Sequence, residues 1–154
     1  MSETTIKLKN YANVQMEKEA AESLYPGHLL ELNSDGKFQK HSNAGESLVP
    51  LFAIEDALQG NDIDDEYSSD DPVRGWFAQR GDHALGILKD GENVAIGDFL
   101  ESAGDGTLQK YDNGDHTSAI VGIALEALDL SGSGDAESSA ELDYPRNRIR
   151  VLII

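Results

Sequence analysis

The side chains that could carry out chemistry in this chain are mainly carboxylates. The densest group lies in residues 59–72 and comprises Asp62, Asp64, Asp65 and Glu66. Oxygen ligands of this kind suit a hard cation such as Ca²⁺, but the segment lacks the glycine and the distant glutamate of an EF-hand loop. Since the chain carries a net charge of −17, we interpret these carboxylates as solvated surface charge and predict no metal site.

The histidines are the second group that could act as bases or metal ligands: His28, His41, His83 and His116. No two of them have the i, i+4 spacing that places two ligands on one face of a helix. His28 and His41 flank a predicted hairpin, and His83 begins a predicted strand. We therefore predict that the histidines lie at the surface or pack against a hairpin, and that none is catalytic.

Motifs for covalent or cofactor-dependent catalysis are missing from the sequence. It contains no cysteine and no Gly-x-Ser-x-Gly nucleophile elbow. It also lacks the phosphate-binding loop and the glycine fingerprint of dinucleotide-binding folds. The sequence thus predicts a protein that is not an enzyme and that uses no cofactor.

The elements that must position these residues are organised around a repeat. Residues 27–41 and 97–111 are identical at seven of fifteen aligned positions. Asp35-Gly36 and Asp105-Gly106 lie between short apolar runs, which is the strongest short-range signal for a β-hairpin. The shared residues are typical of turns and strands, so the repeat predicts a duplicated piece of scaffold.

Each copy of the repeat contains one glutamate, Glu31 or Glu101. Two carboxylates can act as an acid and a base, but such a pair needs different surroundings to separate its pKa values. Equivalent positions in two copies favour a structural role on matching strands. The repeat continues in residues 51–55 and 122–126, so each copy is predicted to form a hairpin, a loop and a buried strand.

The turn signals recur about every eight to twelve residues without an amphipathic helix, a pattern typical of all-β folds. We predict an all-β protein, a small β-barrel or barrel-like sandwich built from two related hairpin units. Residues 1–20 are predicted to form an extended N-terminal arm and a first strand, and residues 21–154 a single β domain. Acidic loops at 59–72 and 129–143 are predicted to be mobile.

The chain ends in a predicted strand that alternates arginines with apolar residues. Arg146, Arg148 and Arg150 would share one face of this strand. In so acidic a chain, clustered cations favour either an ion-pair seam inside the fold or a contact with another protein. The sequence leaves both interpretations open, so all three arginines are candidate protein contacts.

The charge balance restricts the classes of partner. Twenty-nine acidic residues against twelve basic ones leave no basic face for a nucleic acid or an anionic membrane. No signal peptide is evident, and no apolar run reaches the ~20 residues of a membrane span. The acids are dispersed along the chain, which favours adaptation to molar salt, where the Debye length is only ~3 Å.

Several short motifs follow one another in a fixed order along the chain. They are Pro26-Gly27-x-Leu-x-Glu31, Asp35-Gly36-x-x-x-Lys40-His41, Leu51-Phe52-Ala-Ile-Glu55, Ile63-Asp64-Asp65-x-Tyr67, Gly91-x-Asn93-Val-Ala-Ile-Gly97-Asp98 and Val121-Gly-x-Ala-Leu-Glu126. Together with the closing strand they cover most of the chain. This ordered set resembles the head decoration, or capsid cement, proteins of tailed viruses. The acidity is similar to that expected of a virus of salt-loving archaea.

The resemblance implies a homotrimer that binds the outer surface of the viral head. Such proteins sit at local threefold positions between hexamers of the major capsid protein, on virions made in the host cytoplasm. Lys7 and Lys9 in the N-terminal arm are our candidate capsid contacts. Tyr67, Trp76 and Phe77 are candidate trimer contacts because large apolar side chains are scarce, although core packing explains Trp76 and Phe77 equally well.

An alternative function belongs to a different class. The chain could be a small halophilic β-barrel that binds a carbohydrate or acts as an enzyme on an unidentified ligand. Such a protein needs a concave site with convergent polar groups, and the sequence does not identify one.

Overall fold

The computed structural model describes residues 4–46, 48–111, 119–131 and 147–154. Across these ranges the chain forms β-strands and a single 3₁₀ turn at Ala57–Gln59, without an α-helix. The strands are β1 Lys7–Lys9, β2 Val14–Glu19, β3 Leu30–Leu32, β4 Phe38–Lys40, β5 Leu51–Ala53, β6 Pro72–Phe77, β7 His83–Ile87, β8 Asn93–Val94, β9 Phe99–Ser102, β10 Leu108–Lys110, β11 Ile120–Ala124, β12 Leu128–Asp129 and β13 Arg148–Ile153. They pack as antiparallel sheets in a barrel-like sandwich, so the all-β prediction is confirmed.

Both predicted hairpins are present, and they share one register. Glu31 faces Gln39 across β3 and β4, and Glu101 faces Gln109 across β9 and β10. The turn glycine of each hairpin, Gly36 or Gly106, has a positive φ of 76° or 82°. Only glycine adopts this conformation readily, which explains why the Asp-Gly pair is kept in both copies.

The duplication extends beyond the hairpins to whole groups of strands. In the second half of the chain the strand order is β7, β13, β11, β9, β10. In the first half β2, β6 and β5 form one sheet, β3 pairs with β4, and a bridge from Leu29 to Phe52 links the two. The resulting order of β2, β6, β5, β3, β4 matches the second half strand by strand. We call residues 14–78 the first unit and residues 82–154 the second unit.

Backbone hydrogen bonds fix which residues correspond in the two units. Ala21 N–H donates to Phe38 as Lys89 N–H donates to Leu108, each at 2.8 Å. The other matching pairs are Ala20 to Asp71 with Leu88 to Asn147, Gly27 to Ala53 with Gly97 to Ala124, Ile54 to Arg74 with Leu125 to Arg150, and Ala78 to Pro50 with Ile154 to Val121. The correspondence therefore covers every strand of both units that belongs to the repeated order.

Side chains alternate between two faces of each unit, as strand geometry requires. In the first unit the inner face forms a cluster of its own, with members Ala20, Leu24, Leu30, Phe38, Leu51, Ala53, Tyr67 and Val73. The outer face of the first unit packs instead against the inner face of the second unit in one larger core. Phe52 from the outer face and Leu108 from the second unit both stand beside Gly86, within 3.5 Å of where a Cβ would be.

The N-terminal residues join the second unit. β1 pairs with β7, the edge strand of the repeated order, and Ile6 is fully buried in the larger core. Ile6 N–H and the Thr5 hydroxyl both donate to the carboxylate of Glu55, which anchors the arm to the first unit as well. Part of the predicted mobile loop at 129–143, residues 132–143, lies outside the described residues.

Candidate interaction surfaces

An apolar groove lies open on the inner face of the first unit. Its volume is about 520 Å³. Buried or half-buried side chains line it, namely Leu30, Phe38, Leu48, Leu51 and Phe77, and the more exposed Met16, Leu32 and Val49 form its sides. Glu31, His41 and Asn43 supply polar groups. Because β2 is the last strand of its sheet, no described strand covers the Met16 side of the groove.

A second apolar surface lies on the outer face of the second unit. It consists of Ile96, Phe99, Ile123, Leu125, Leu152 and Ile154. Strand pairing of Ile123 with both Phe99 and Leu152 places these three side chains on one side of the sheet. Ile96 is 71% exposed and Phe99 is 44% exposed. Exposed apolar side chains that form a continuous patch, rather than single scattered residues, mark a contact surface.

These two surfaces hold most of the exposed apolar side chains. Nine large apolar residues of the described chain are exposed, and six of them lie in the groove or on the outer face of the second unit. The remaining three are Tyr11, Val14 and Leu58. The concentration identifies the groove and this outer face as the candidate interaction surfaces of an otherwise strongly acidic protein.

The terminal strand contributes an arginine, Arg148, whose side chain is largely buried. Arg148 donates to the carboxylate of Asp64 at 3.0 Å and to the carbonyls of Pro26 and Ile63. Burial lowers the pKa of Arg148, while the nearby Asp64 carboxylate opposes that shift. Arg148 therefore ties the acidic loop to the second unit, which is the fold-internal pairing that the sequence left open.

The other two arginines of the predicted seam differ in their settings. Arg150 lies on the same face of β13 as Arg148 and is half-buried, and its backbone N–H donates to Glu126 at 3.0 Å. Arg146 lies outside the described residues. Of the three candidates, Arg148 has the clearest role in the fold, and Arg150 borders the outer face of the second unit.

The candidate capsid contacts lie on β1 at the end of the larger sheet. Lys7 Nζ donates to the Asn13 side chain at 2.9 Å, and Lys9 Nζ stands 5.7 Å from the centre of the Tyr11 ring. Lys9 is exposed and Lys7 is half-buried. The structure thus places both cations together at a sheet edge, held there by the buried Ile6 beside them.

The candidate trimer contacts are separated by the fold. Trp76 is fully buried between the two units, where its ring centre lies 6.4 Å from that of Phe52. Tyr67 is buried on the inner face of the first unit and donates to the Ile54 carbonyl at 2.7 Å. Burial raises the pKa of Tyr67. Of the three, only Phe77 lines the open groove.

The acids and histidines of the repeat hold the scaffold together. Glu31 accepts a hydrogen bond from Gln39 at 3.2 Å, and Glu101 accepts one from Gln109 at 3.0 Å. His28 and His41 are buried beside the hairpins, with Nδ1 of His28 accepting from Tyr25 N–H. In the second unit Asp98 accepts from Ala95 N–H instead, and this bond lowers the pKa of Asp98. His116 lies outside the described residues.

The acidic loop uses its carboxylates for local structure. Asp65 accepts from Asp62 N–H at 2.7 Å, Asp62 accepts from Asp64 N–H at 2.9 Å, and Asp64 binds Arg148. Ile63 and Tyr67 fix the loop because both are buried. Among the described residues, no group of three or more acidic or histidine side chains is arranged to hold a metal ion.

Comparison with known proteins identifies no family for this chain. No family model matches it, and no curated protein matches its sequence. The described residues contain no helix that is long and apolar enough to cross a membrane.

Sequence reasoning missed the outer face of the second unit and identified only Phe77 among the residues of the groove. The alternation of Val14 and Met16 predicted a strand but not that its apolar side would stay open. Ile96 and Phe99 flank the start of the second copy, and their apolar type at turn and strand-edge positions was the available signal. Exposure of a side chain depends on how the two units pack, which no local pattern reports.

Proposed function

We propose that the chain is a structural virion protein: a capsid decoration, or cement, protein of a tailed virus of halophilic archaea. It binds the outer surface of the assembled major capsid protein lattice at local threefold positions, as a homotrimer, and stabilises the head. The observation that carries this proposal is the pair of open apolar surfaces on a duplicated scaffold. The side chains that are identical in both copies form turns and strand pairs. A protein that binds and stabilises an assembly needs such surfaces. The resemblance of the motif order to capsid decoration proteins favours a viral shell as the partner.

The physical mechanism is linkage. A protein that binds only the assembled lattice stabilises that lattice by about 2.7 kcal/mol for each site when its free concentration is 100 times Kd. Three joined copies bind with avidity when their sites match the symmetry of the lattice. In molar salt, charges separated by more than a few ångströms are screened, so apolar contact and strand pairing supply the affinity.

The N-terminal arm is the proposed contact with the shell. β1 is the terminal strand of the six-stranded sheet, so its outer backbone edge faces away from the described strands. An extended segment of the major capsid protein could pair with that edge, as strands do in β-augmentation. Lys7 and Lys9 would then meet acidic groups on the shell.

Co-sedimentation tests the proposal. Purified chain is mixed with expanded heads of the virus that carries its gene, in about 2 M salt, and the bound fraction is measured against chain concentration. We expect saturable binding to expanded heads and no binding to free capsid subunits. Absence of binding to heads, with the chain correctly folded, would contradict the function.

A ligand-binding role is the second candidate, and the groove favours it. Its volume of about 520 Å³ falls within the range of small-molecule sites, and Glu31, His41 and Asn43 offer polar groups. Calorimetric titration with oligosaccharides at high salt separates the two functions. Saturable heat from one sugar, abolished by Phe77→Ala, would favour a carbohydrate-binding module.

A further inference from the structure

The two units of the chain are related by duplication, yet each uses a different face in the contact that joins them. The first unit buries its outer face, whose members are Pro26, Leu29, Phe52, Ile54, Trp76 and Ala78. The corresponding residues of the second unit are Ile96, Phe99, Ile123, Leu125, Leu152 and Ile154. All six are apolar, and none is fully buried. The second unit thus carries the apolar face that packs in the first unit, without a described partner for it.

The inner faces differ in the reverse sense. The inner face of the second unit is covered because the outer face of the first unit packs into it. The corresponding surface of the first unit is the open groove, where Met16 and Phe77 stand at the positions of the buried Ala84 and Ile153. Each chain therefore contains this packing once. The outer face of the second unit and the groove of the first unit are the two surfaces that could form it a second time.

The hairpin tips give an independent sign of the same asymmetry. The tip of the second hairpin packs on the first unit: a Cβ at Gly106 would stand 2.9 Å from Lys40 and 3.1 Å from His28. Gly106 also accepts a backbone hydrogen bond from Leu29 N–H at 2.8 Å. The tip of the first hairpin makes no such contact with the described residues, none of which has an atom within 4 Å of where a Cβ at Gly36 would be.

We propose that copies of this chain associate head to tail. The outer face of the second unit of one copy fills the groove of the first unit of the next, repeating the packing that joins the two units within each chain. Apolar complementarity supports a second copy as the occupant, because the two open surfaces correspond to the two sides of the contact that already joins the units within the chain. The contact is inferred from the duplication alone, whereas the closure of a ring after three copies rests on the proposed function.

The duplication also specifies the residues that meet between copies. Leu29 N–H bonds to Gly106 within the chain, so Phe99 N–H of one copy is placed to bond to Gly36 of the next. Lys40 stands against Gly106, so Lys110 stands against Gly36 across the contact. A contact of this kind uses different surfaces on the two partners, and such contacts close into rings or continue as filaments.

Disulfide cross-linking tests the arrangement on a chain that has no cysteine of its own. Gly36→Cys and Lys110→Cys are made as separate variants, mixed and oxidised at high salt. We expect a covalent dimer from the mixture, and covalent trimers from the double variant. The double variant Lys40→Cys with Gly106→Cys is the matched control, because it joins the corresponding positions within one chain. Control closure without any cross-link between copies would overturn the proposal.

A second measurement avoids any substitution of Gly36, whose positive φ disfavours other residues. Sedimentation at increasing chain concentration gives the association constant of the unmodified protein and of Phe99→Glu. We expect Phe99→Glu to weaken association at least tenfold. Leu58→Glu is the control, since Leu58 is 84% exposed and lies on neither surface. A monomeric unmodified chain, or equal association of all three proteins, would refute the contact.

The two proposals can fail separately. Head-to-tail association in solution without binding to heads would remove the capsid function and leave the contact standing. If Phe99→Glu and the unmodified chain are both monomeric and bind heads equally well, the contact is refuted and the capsid function is retained.

Discussion

The packing between the two units predicts that alanine substitutions at two corresponding positions have unequal costs in stability. Phe52 is fully buried between the units, whereas Ile123 occupies the same position on the half-exposed outer face of the second unit. Phe52→Ala should destabilise the chain by about 3–5 kcal/mol through lost burial and the cavity left beside Gly86. Ile123→Ala should cost about 1 kcal/mol in the monomer, since only about half of its burial energy is at stake.

Chemical and thermal denaturation at low protein concentration measure both costs. In a chain of this size, each kcal/mol lowers Tm by ~2–4 °C, so the two variants should differ by on the order of 10 °C. Trp76 is the single tryptophan of the sequence, and its burial beside Phe52 makes its fluorescence a direct report on the contact between the units.

Equal losses of stability for the two variants would refute the reasoning. They would mean that the outer face of the second unit is as well buried in the monomer as that of the first. At high protein concentration, the cost of Ile123→Ala should increase, because association would then bury this face as well.

Three further predictions concern the loop, the core tyrosine and the charge. Arg148→Lys should destabilise the fold by about 1–3 kcal/mol, because Arg148 donates from three separate nitrogens and the single ammonium nitrogen of a lysine cannot reach Asp64 and both carbonyls. Arg80→Lys, at an exposed site, is the control, and equal midpoints in urea would contradict this role. The folded-state pKa of Tyr67 is raised above its unfolded value of about 10. The contribution of the neutral phenol to the stability of the fold is therefore complete below pH 10 and is lost as the pH rises further. Urea midpoints from pH 8 to 11 should fall less steeply for Tyr67→Phe, and parallel curves would exclude the effect. Raising KCl from about 0.1 M to about 2 M should raise Tm by screening the net charge of −17, and an unchanged or lower Tm would contradict salt adaptation.

The local parts of the fold could be predicted from the sequence. The Asp-Gly turns specify their hairpins through the φ of Gly36 and Gly106, and the apolar run at residues 51–53 forms the predicted buried strand β5. These features depend on a few neighbouring residues, so one sequence is enough to recognise them.

The full extent of the duplication could not be predicted in this way. β6 and β13 occupy the same place in the two units, but Trp76 corresponds to Leu152 and Gly75 to Val151. The match between β6 and β13 lies in their long-range pairing with β5 and β11, and the identical pair Arg74 and Arg150 is too short a sequence signal to reveal it. For the same reason, the pairing of Arg148 with Asp64 joins residues 84 positions apart and was indistinguishable from surface charge.

The candidate surfaces were beyond prediction because exposure is a property of the packed chain. Phe77 was predicted as a contact and lines the groove, whereas Trp76, its neighbour in sequence, points to the opposite face and is buried. The alternation of side chains along β6 separates them, and only the packing of the units decides which face stays open.

A reconstruction of viral heads by cryo-electron microscopy tests the central claim most directly. Heads of the virus that carries the gene are imaged with and without added chain at high salt. The account predicts added density on the outer surface at local threefold positions, in which three copies of the barrel-like sandwich fit. An undecorated shell at saturating chain concentration, or density at other positions, would contradict it.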